Sequence, residues 1–433
     1  MKYQDWKNQI KPDKKLRTYQ HIDEALDLDN EGTFQGLVKV IEDIKNHQFL
    51  PFIKREEIKI RFRKNKEGEV RRSRKVRPIM YASHIDAHIY SYYNFILQEK
   101  YEKYLENLNL SRNVTAYRKI KIEKTDKGKS NIHFAKDVFD HIEKQAECVV
   151  ITQDIEGFFD NLNHSLLKKN ICKVNDTEQL DDAFYKVFRS LTAHRYIEYS
   201  DFIDKKIKRK TKNNKYAIYN TLKGLVHENK TNIAIPQGSP ISGLLANIYL
   251  IDFDFGIKTS FPDVFYRRYS DDLVFVCRDE QKDSLLLFIN GKIKESKLKI
   301  NAGKSFITYF KKLNGDSVCE KVTNGLGEKK TRDYVDYLGL EFGGRNILLR
   351  KNTIQKLKRK QIKKTQKQLL NNIKPIRRNP KKDVAKKTKN RNNYFKKALE
   401  IITNNGIKKQ VLKVTKDRNQ VKKSGLRQRI SKK

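Results

Sequence analysis

Val264-Phe265-Tyr266-Arg267-Arg268-Tyr269-Ser270-Asp271-Asp272-Leu273-Val274-Phe275-Val276-Cys277 reads as two strands joined by a tight turn at Ser270-Asp271. Both arms are rich in aromatic and β-branched residues, which suit a pleated, half-buried surface. Two adjacent carboxylates at the tip of so apolar a hairpin repel each other unless a cation neutralises them. Alone, the pair is equally ordinary turn chemistry, because Asp is common in hairpin turns. A second stretch shifts the balance. Cys148-Val149-Val150-Ile151-Thr152-Gln153-Asp154 is a short β-branched run that enters a core and ends on an acid. A helix-like pattern through Leu162, Leu166 and Leu167 follows it. A third carboxylate ending a neighbouring strand would complete a hard oxygen site suited to Mg²⁺. Two such ions, about 3.5–4 Å apart, can hold the attacking and leaving oxygens of a phosphoryl displacement.

The rest of the chain supplies a partner for that chemistry. Its 433 residues carry 94 Lys+Arg against 52 Asp+Glu, a formal charge of +42. Such an excess points to a polyanion, nucleic acid before an acidic membrane surface. The charge is uneven: residues 351–433 hold 30 Lys+Arg and three acids (Asp383, Glu400, Asp417), a net of +27. In that tail Ile354, Leu357, Ile362, Leu369 and Leu370 recur at loosely helical spacing, and Asn372 to Lys382, with Pro375 and Pro380, reads as a break between two helical pieces. Arg55 to Arg77 is a second basic stretch, in which Ile58, Ile60 and Phe62 alternate as a strand would and Lys64 to Gly68 supplies a turn. Ile79 to Lys100 reads as a helix, and the segment before Pro51 is mostly helical in pattern.

Other classes drop out. Met1 to Lys11 is polar, without an apolar stretch of signal-peptide length, and nowhere do eighteen apolar residues run together. The four cysteines, Cys148, Cys172, Cys277 and Cys319, form no C-x-x-C pair, which argues against disulfide scaffolds and zinc ribbons. A reducing cytoplasm is the expected setting. No membrane partner is expected.

Taken in order, Asp154-Ile-Glu-Gly-Phe-Phe-Asp-Asn-Leu162, Pro236-Gln-Gly-Ser-Pro-Ile-Ser-Gly-Leu-Leu-Ala-Asn-Ile-Tyr-Leu250 and Tyr269-Ser-Asp-Asp272 resemble the palm motifs of reverse transcriptases, those of group II introns and retrons above all. Arg77-Pro78-Ile79 resembles the fingers motif, Leu298 to Lys304 the next palm motif, and Tyr337-Leu-Gly-Leu-Glu-Phe342 the hairpin that supports the primer end. Ser270 stands where many relatives have Ala, and Gly243 where the intron-type motif usually has Pro. The retron signatures Asn-Ala-x-x-His and Val-Thr-Gly are absent. The stretch Gly343 to Arg350, a plausible second hairpin arm, is similar to the pattern in unassigned bacterial reverse transcriptases, many of which act in defence against phage.

That resemblance implies an α+β right-hand polymerase. It would consist of an N-terminal helical extension (1–50), fingers (51–135), a palm of antiparallel sheet plus helices (136–320, with an insertion at about 175–232), and a primer-grip hairpin with a basic helical thumb (321–433). It implies two Mg²⁺, with Mn²⁺ as a substitute, on Asp154, Ile155, Asp271 and Asp272. It places Phe159 beneath the sugar of the incoming nucleotide, where a ring collides with a 2′-hydroxyl and selects dNTPs. Gln237 and the Gly238 turn would contact the nucleotide or its template base; Arg77 and Lys75 would grip the triphosphate. Lys304 is the candidate proton donor to the pyrophosphate. Tyr117 and Arg118, in an aromatic-basic stretch, are candidate RNA contacts.

No histidine follows His227, so the last 206 residues cannot hold a His–Asn–His nuclease, and three scattered acids in the last 83 are too few for a ribonuclease H site. The expected reaction is RNA-directed DNA synthesis, with a partner non-coding RNA as template and cDNA as product. The rivals are an RNA-templated RNA polymerase and a non-catalytic RNA-binding protein of the same shape. Primer and oligomeric state are open.

Overall fold

The computed structural model describes residues 2–10, 19–64, 69–145, 147–203, 222–325, 327–330 and 332–378. Two helices, α1 (Lys2–Ile10) and α2 (Glu31–Glu42), precede a long hairpin of β1 (Phe52–Lys64) and β2 (Val70–Tyr81). The hairpin expected from the alternating basic stretch is therefore present, in a register that pairs Ile58 with Val76 and Glu57 with Arg77. The helix expected from Ile79 starts later. Pro78 to Tyr81 stay in β2, opposite Glu56 to Ile53. Ser83 then caps α3 (His84–Asn107), its hydroxyl accepting from the Asp86 amide at 3.1 Å. The apolar pattern was right about the helix, but the cap set where it begins.

After α4 (Asn131–Lys144) comes β3 (Cys148–Asp154), followed by α5 (His164–Asn175) and α6 (Asp182–Thr192). Strand β4 (Arg195–Glu198) pairs parallel to β1, and β5 (His227–Glu228) pairs antiparallel to β4, giving a four-stranded sheet of order β2-β1-β4-β5. The span 175–232 is thus woven into the fold where it is described: α6 contributes Phe184, Val187, Phe188 and Leu191 to the main core. The short α7 (Tyr199–Phe202) ends that stretch, and α8 (Ser242–Tyr249) and α9 (Ile251–Ser260) follow.

The hairpin around Ser270-Asp271 is β6 (Phe265–Tyr269) and β7 (Asp272–Cys277). With α10 (Lys282–Glu295), β8 (Phe306–Leu313) and β9 (Asp316–Asn324), the chain completes an antiparallel sheet of order β6-β7-β3-β8-β9. Strand β3 lies at its centre, and its period of two divides its side chains between two cores. Val149 and Ile151 face the large cluster built with α3, α5, α8 and α9; Cys148 and Val150 face a smaller one with Phe139 of α4, Val274, Val276 and Phe342. Burial on both faces accounts for the near-continuous apolar run of β3. All four cysteines are free thiols.

Three short strands, β10 (Val335–Tyr337), β11 (Leu340–Phe342) and β12 (Ile347–Leu349), form an antiparallel sheet that includes the expected second arm. Helix α11 runs over Lys351–Arg378. The break anticipated at Asn372 is not seen: the helix continues through Pro375 to Arg378, and residues 379–433 lie outside the described residues. No helix among the described residues is long and apolar enough to cross a membrane.

Candidate active site

Register places the carboxylates. In the β3–β7 ladder Asp154 is the cross-strand partner of Asp272, and Tyr269 pairs with Asp272 across the β6–β7 turn. That leaves Ser270-Asp271 as a two-residue loop, in which Ser270 adopts φ 60°. The Ile155 amide donates to the Asp271 carbonyl at 3.1 Å, so the loop is hydrogen-bonded to the end of β3. From the other side the Asn301 amide donates to the Asp154 carbonyl at 2.8 Å and the Glu156 amide to the Lys299 carbonyl at 2.9 Å. The three aspartates therefore stand on backbone that is pinned from two directions.

Their electrostatics follow from that burial. Desolvation, then the charges of Asp271 and Asp154, pushes the Asp272 carboxyl up to about 7. Asp271 is likewise raised, by burial first and by Asp154 next. Lys304, in a 3-10 turn at Ala302–Lys304, opposes both shifts and donates from Nζ to Asp154 Oδ2. Among the described residues no three or more His, Cys, Asp or Glu are grouped so as to hold a metal ion. The donor chemistry nevertheless fits a hard divalent cation: three oxygen-bearing acids, two of them held protonation-prone by burial and mutual repulsion, gain most from a cation between them. Asp154, Asp271 and Asp272 would hold it. Ile155 is buried beside them, its amide committed to Asp271.

The other expected residues divide into three groups. Phe159 sits in a 3-10 turn, Phe158–Asp160, entered through Gly157 at φ 54°. Its carbonyl accepts from the Ile235 amide at 3.1 Å, which ties it to the segment carrying Gln237 and Gly238. Phe159, Gln237 and Gly238 line one cleft of about 400 Å³ with Asn94, Tyr117, Ser239 and the start of α8. Gly238 has φ 126°, and a Cβ there would lie 2.6 Å from the Met80 carbonyl oxygen. The close approach expected of this glycine is thus made to β2, where the Met80 amide donates to the Gln237 carbonyl at 2.9 Å.

Arg77 is exposed on β2, the strand to which that loop is bonded; Lys75 lies two positions before it on the same strand. Arg118 is a correction. Its side chain is only 4% exposed, pairs with Glu102, and donates from Nη1 to the carbonyls of Ser111 (2.7 Å) and Val114 (2.5 Å). A guanidinium so fully spent inside the fold is not an RNA contact; it holds the loop before α4. Tyr117, the other candidate, is half exposed but belongs to the Phe159 cleft.

Sequence reasoning missed what lies beneath the turn. Arg268 is fully buried and donates from Nε and Nη2 to Asp254 (2.8 and 2.5 Å), from Nη1 to Asn247 Oδ1 (3.1 Å) and, weakly, to the Ser270 carbonyl (3.4 Å). The Tyr266 hydroxyl donates to Asp254 Oδ1 at 2.6 Å. Burial alone would lower the Arg268 pKa, but the Asp254 carboxylate outweighs it and the net shift is upward. The available signal was an acid inside the apolar run Ile251-Asp-Phe-Asp-Phe255 and an arginine at an inward position of β6.

A family model described as reverse transcriptase (RNA-dependent DNA polymerase) matches residues 65–342. No curated protein matches the chain. Among solved structures, apo telomerase from Candida tropicalis truncated from its C-terminal domain aligns at 13% identity and TM-score 0.37, over 72% of this chain and 59% of that one. Telomerase from Candida albicans in complex with a TWJ fragment of telomeric RNA aligns at 13% identity and TM-score 0.36, over 77% and 53%. The chain spans little more than half the length of those telomerase chains. The family match, by contrast, covers every motif from Arg77 to Phe342, the aspartate pair and the Phe159 cleft included, and on it the chain belongs to the reverse transcriptase (RNA-dependent DNA polymerase) family.

Proposed function

We propose that this protein copies an RNA template, a partner non-coding RNA, into cDNA by two-metal nucleotidyl transfer centred on Asp154, Asp271 and Asp272. The observation that carries the reading is the register that sets Asp154 opposite Asp272, with Asp271 in the adjoining turn. Divalent cations there, Mg²⁺ or Mn²⁺ in its place, supply Lewis-acid activation of the primer hydroxyl and charge neutralisation at the triphosphate. The three aspartates would hold them, with the Ile155 carbonyl oxygen as a further ligand. Lys304, whose side chain is 44% exposed and whose ammonium is bonded to one oxygen of Asp154, protonates the departing pyrophosphate. Arg77 and Lys75 grip the triphosphate, Gln237 and Gly238 meet the nucleotide, and Phe159 excludes a 2′-hydroxyl.

The chain divides on this reading into a fingers unit around the β1–β2 hairpin, a palm around the five-stranded sheet, and a thumb beginning at α11. The basic tail grips template and product through phosphate contacts, so binding weakens steeply with salt. Asp271→Ala combined with Asp272→Ala abolishes incorporation while RNA binding persists; synthesis retained in that double variant would overturn the assignment. The rival, an RNA-templated RNA polymerase, is opposed by the ring at Phe159 and separated by supplying dNTPs and NTPs in turn. The resemblance to defence-associated enzymes supplies a setting, protection against phage. It is tested by plaque counts on cells carrying the wild type or the double variant.

A further inference from the structure

Tyr117 has a backbone conformation that aromatic residues rarely adopt, with φ 58°. Such a residue persists only where its surroundings over-determine it, and here they do. The Thr115 amide and hydroxyl both donate to the Arg268 carbonyl (2.9 Å each), Asn247 Nδ2 donates to the Ala116 carbonyl at 2.8 Å, and Arg118 is locked to Glu102. The chain on both sides of Tyr117 is held, and the ring is carried into the cleft. There it meets Phe159 edge-on, with centroids 6.5 Å apart and planes at 85°. Phe158 contacts Phe159 from its own side at 5.8 Å. The Tyr117 hydroxyl reaches Ser270 Oγ at 3.5 Å, beside the catalytic turn.

The departure noted at Gly243 falls at the same place. A Cβ built on Gly243 would lie 2.6 Å from Cδ1 and Cγ of Tyr117, so the ring occupies the volume that any other residue would fill. The cleft these residues share also contains the Ser239 hydroxyl, buried without a hydrogen-bond partner.

We propose that Tyr117 is a positioning residue for sugar selection: seated over Gly243, its ring braces Phe159 so that the gate cannot swing away from a 2′-hydroxyl. A steric gate discriminates only as well as its side chain is held, because a ring free to change rotamer admits the larger sugar at small cost. Tyr117 and Phe158 bracket Phe159 and remove that freedom. The inference rests on the reading of the protein as a DNA-synthesising enzyme, and it extends that reading to two residues whose part is to hold the gate.

The test is the ratio of kcat/KM for a dNTP to that for the matching NTP on a primed RNA template, for wild type, Tyr117→Ala, Tyr117→Phe, Gly243→Ala and the Tyr117→Ala/Gly243→Ala pair. Tyr117→Ala lowers the ratio by at least about tenfold, chiefly by admitting NTPs, whereas Tyr117→Phe retains it. Gly243→Ala, which keeps the tyrosine but displaces its ring, lowers the ratio similarly and adds nothing in the Tyr117→Ala background. Because Gly243→Ala acts from the opposite side, the test survives a Tyr117→Ala protein that does not fold. A ratio unchanged in Gly243→Ala and Tyr117→Ala, or both rates falling in parallel, would show a purely structural tyrosine and overturn the proposal. A wild type that incorporates no dNTP would instead refute the functional reading beneath it.

Discussion

Replacing Asp254 by alanine isolates the buried network that supports the catalytic turn. Three hydrogen bonds end on this carboxylate, two from Arg268 and one from Tyr266, and both members of the ion pair have fully buried side chains. Removing one partner of a buried pair costs about 3–5 kcal/mol, because the other charge is left without compensation. Against a total stability of about 5–15 kcal/mol this is a large fraction. The reciprocal change, Arg268→Met, costs less. A stranded carboxylate can take up a proton and become neutral, whereas a guanidinium cannot lose one. The pH dependence therefore separates the two variants. Loss of the counter-charge in Arg268→Met penalises the charged form of the buried carboxylate, so that variant recovers stability on going from pH 8 to pH 5. In Asp254→Ala the penalty stays flat over that window. Urea unfolding of both variants at pH 5 and pH 8, with m unchanged, provides the measurement. A loss under about 1 kcal/mol in Asp254→Ala, or the same pH dependence in both variants, would refute the reasoning.

Three further outcomes follow from the site. Asp272, raised to about 7 by burial and its acidic neighbours, makes the metal-free fold less stable as pH rises from the unfolded carboxylate value near 3.8 up through 7. Asp272→Asn therefore stabilises metal-free protein at pH 8 more than at pH 5, by about 1–3 kcal/mol after allowing for partial solvation, as read by urea unfolding. Arg118→Ala lowers stability by about 2–4 kcal/mol through its lost pair and two orphaned carbonyls. It leaves the salt slope of RNA binding unchanged, and a slope reduced by about one would restore Arg118 as a phosphate contact. Gly238→Ala, with φ 126° and a carbonyl oxygen 2.6 Å from the new Cβ, costs about 1–3 kcal/mol and pushes the Gln237 loop off β2. Its thermal midpoint should fall, and an unchanged midpoint would mean that the loop moves freely.

The sequence was most legible where local pattern and chemistry coincide. The apolar arms around Ser270-Asp271 gave the hairpin, and the β-branched run to Asp154 gave the central strand. What it could not supply was register: that Asp154 faces Asp272 depends on β3 and β7 pairing across more than a hundred intervening residues. Arg118 looked like a nucleic-acid contact because composition does not distinguish a solvated guanidinium from one spent on Glu102 and two carbonyls. Asp254 and Arg268 were invisible for the related reason that a buried pair announces itself only when both partners are located. Gly243 stood out only as a departure where the intron-type motif usually has Pro, whereas it makes room for the Tyr117 ring. Helix α11 runs through Pro375 although a proline costs a helix interior about 3 kcal/mol and usually marks a break.

Single-turnover incorporation of a labelled dNTP on a primed RNA template asks directly whether Asp154, Asp271 and Asp272 carry metal-dependent DNA synthesis. Product rises with added Mg²⁺ in the wild type and is lost in Asp154→Asn, a variant that keeps the shape of the side chain and removes its charge. Equal incorporation by Asp154→Asn, or none by the wild type at any Mg²⁺ concentration, would contradict that role.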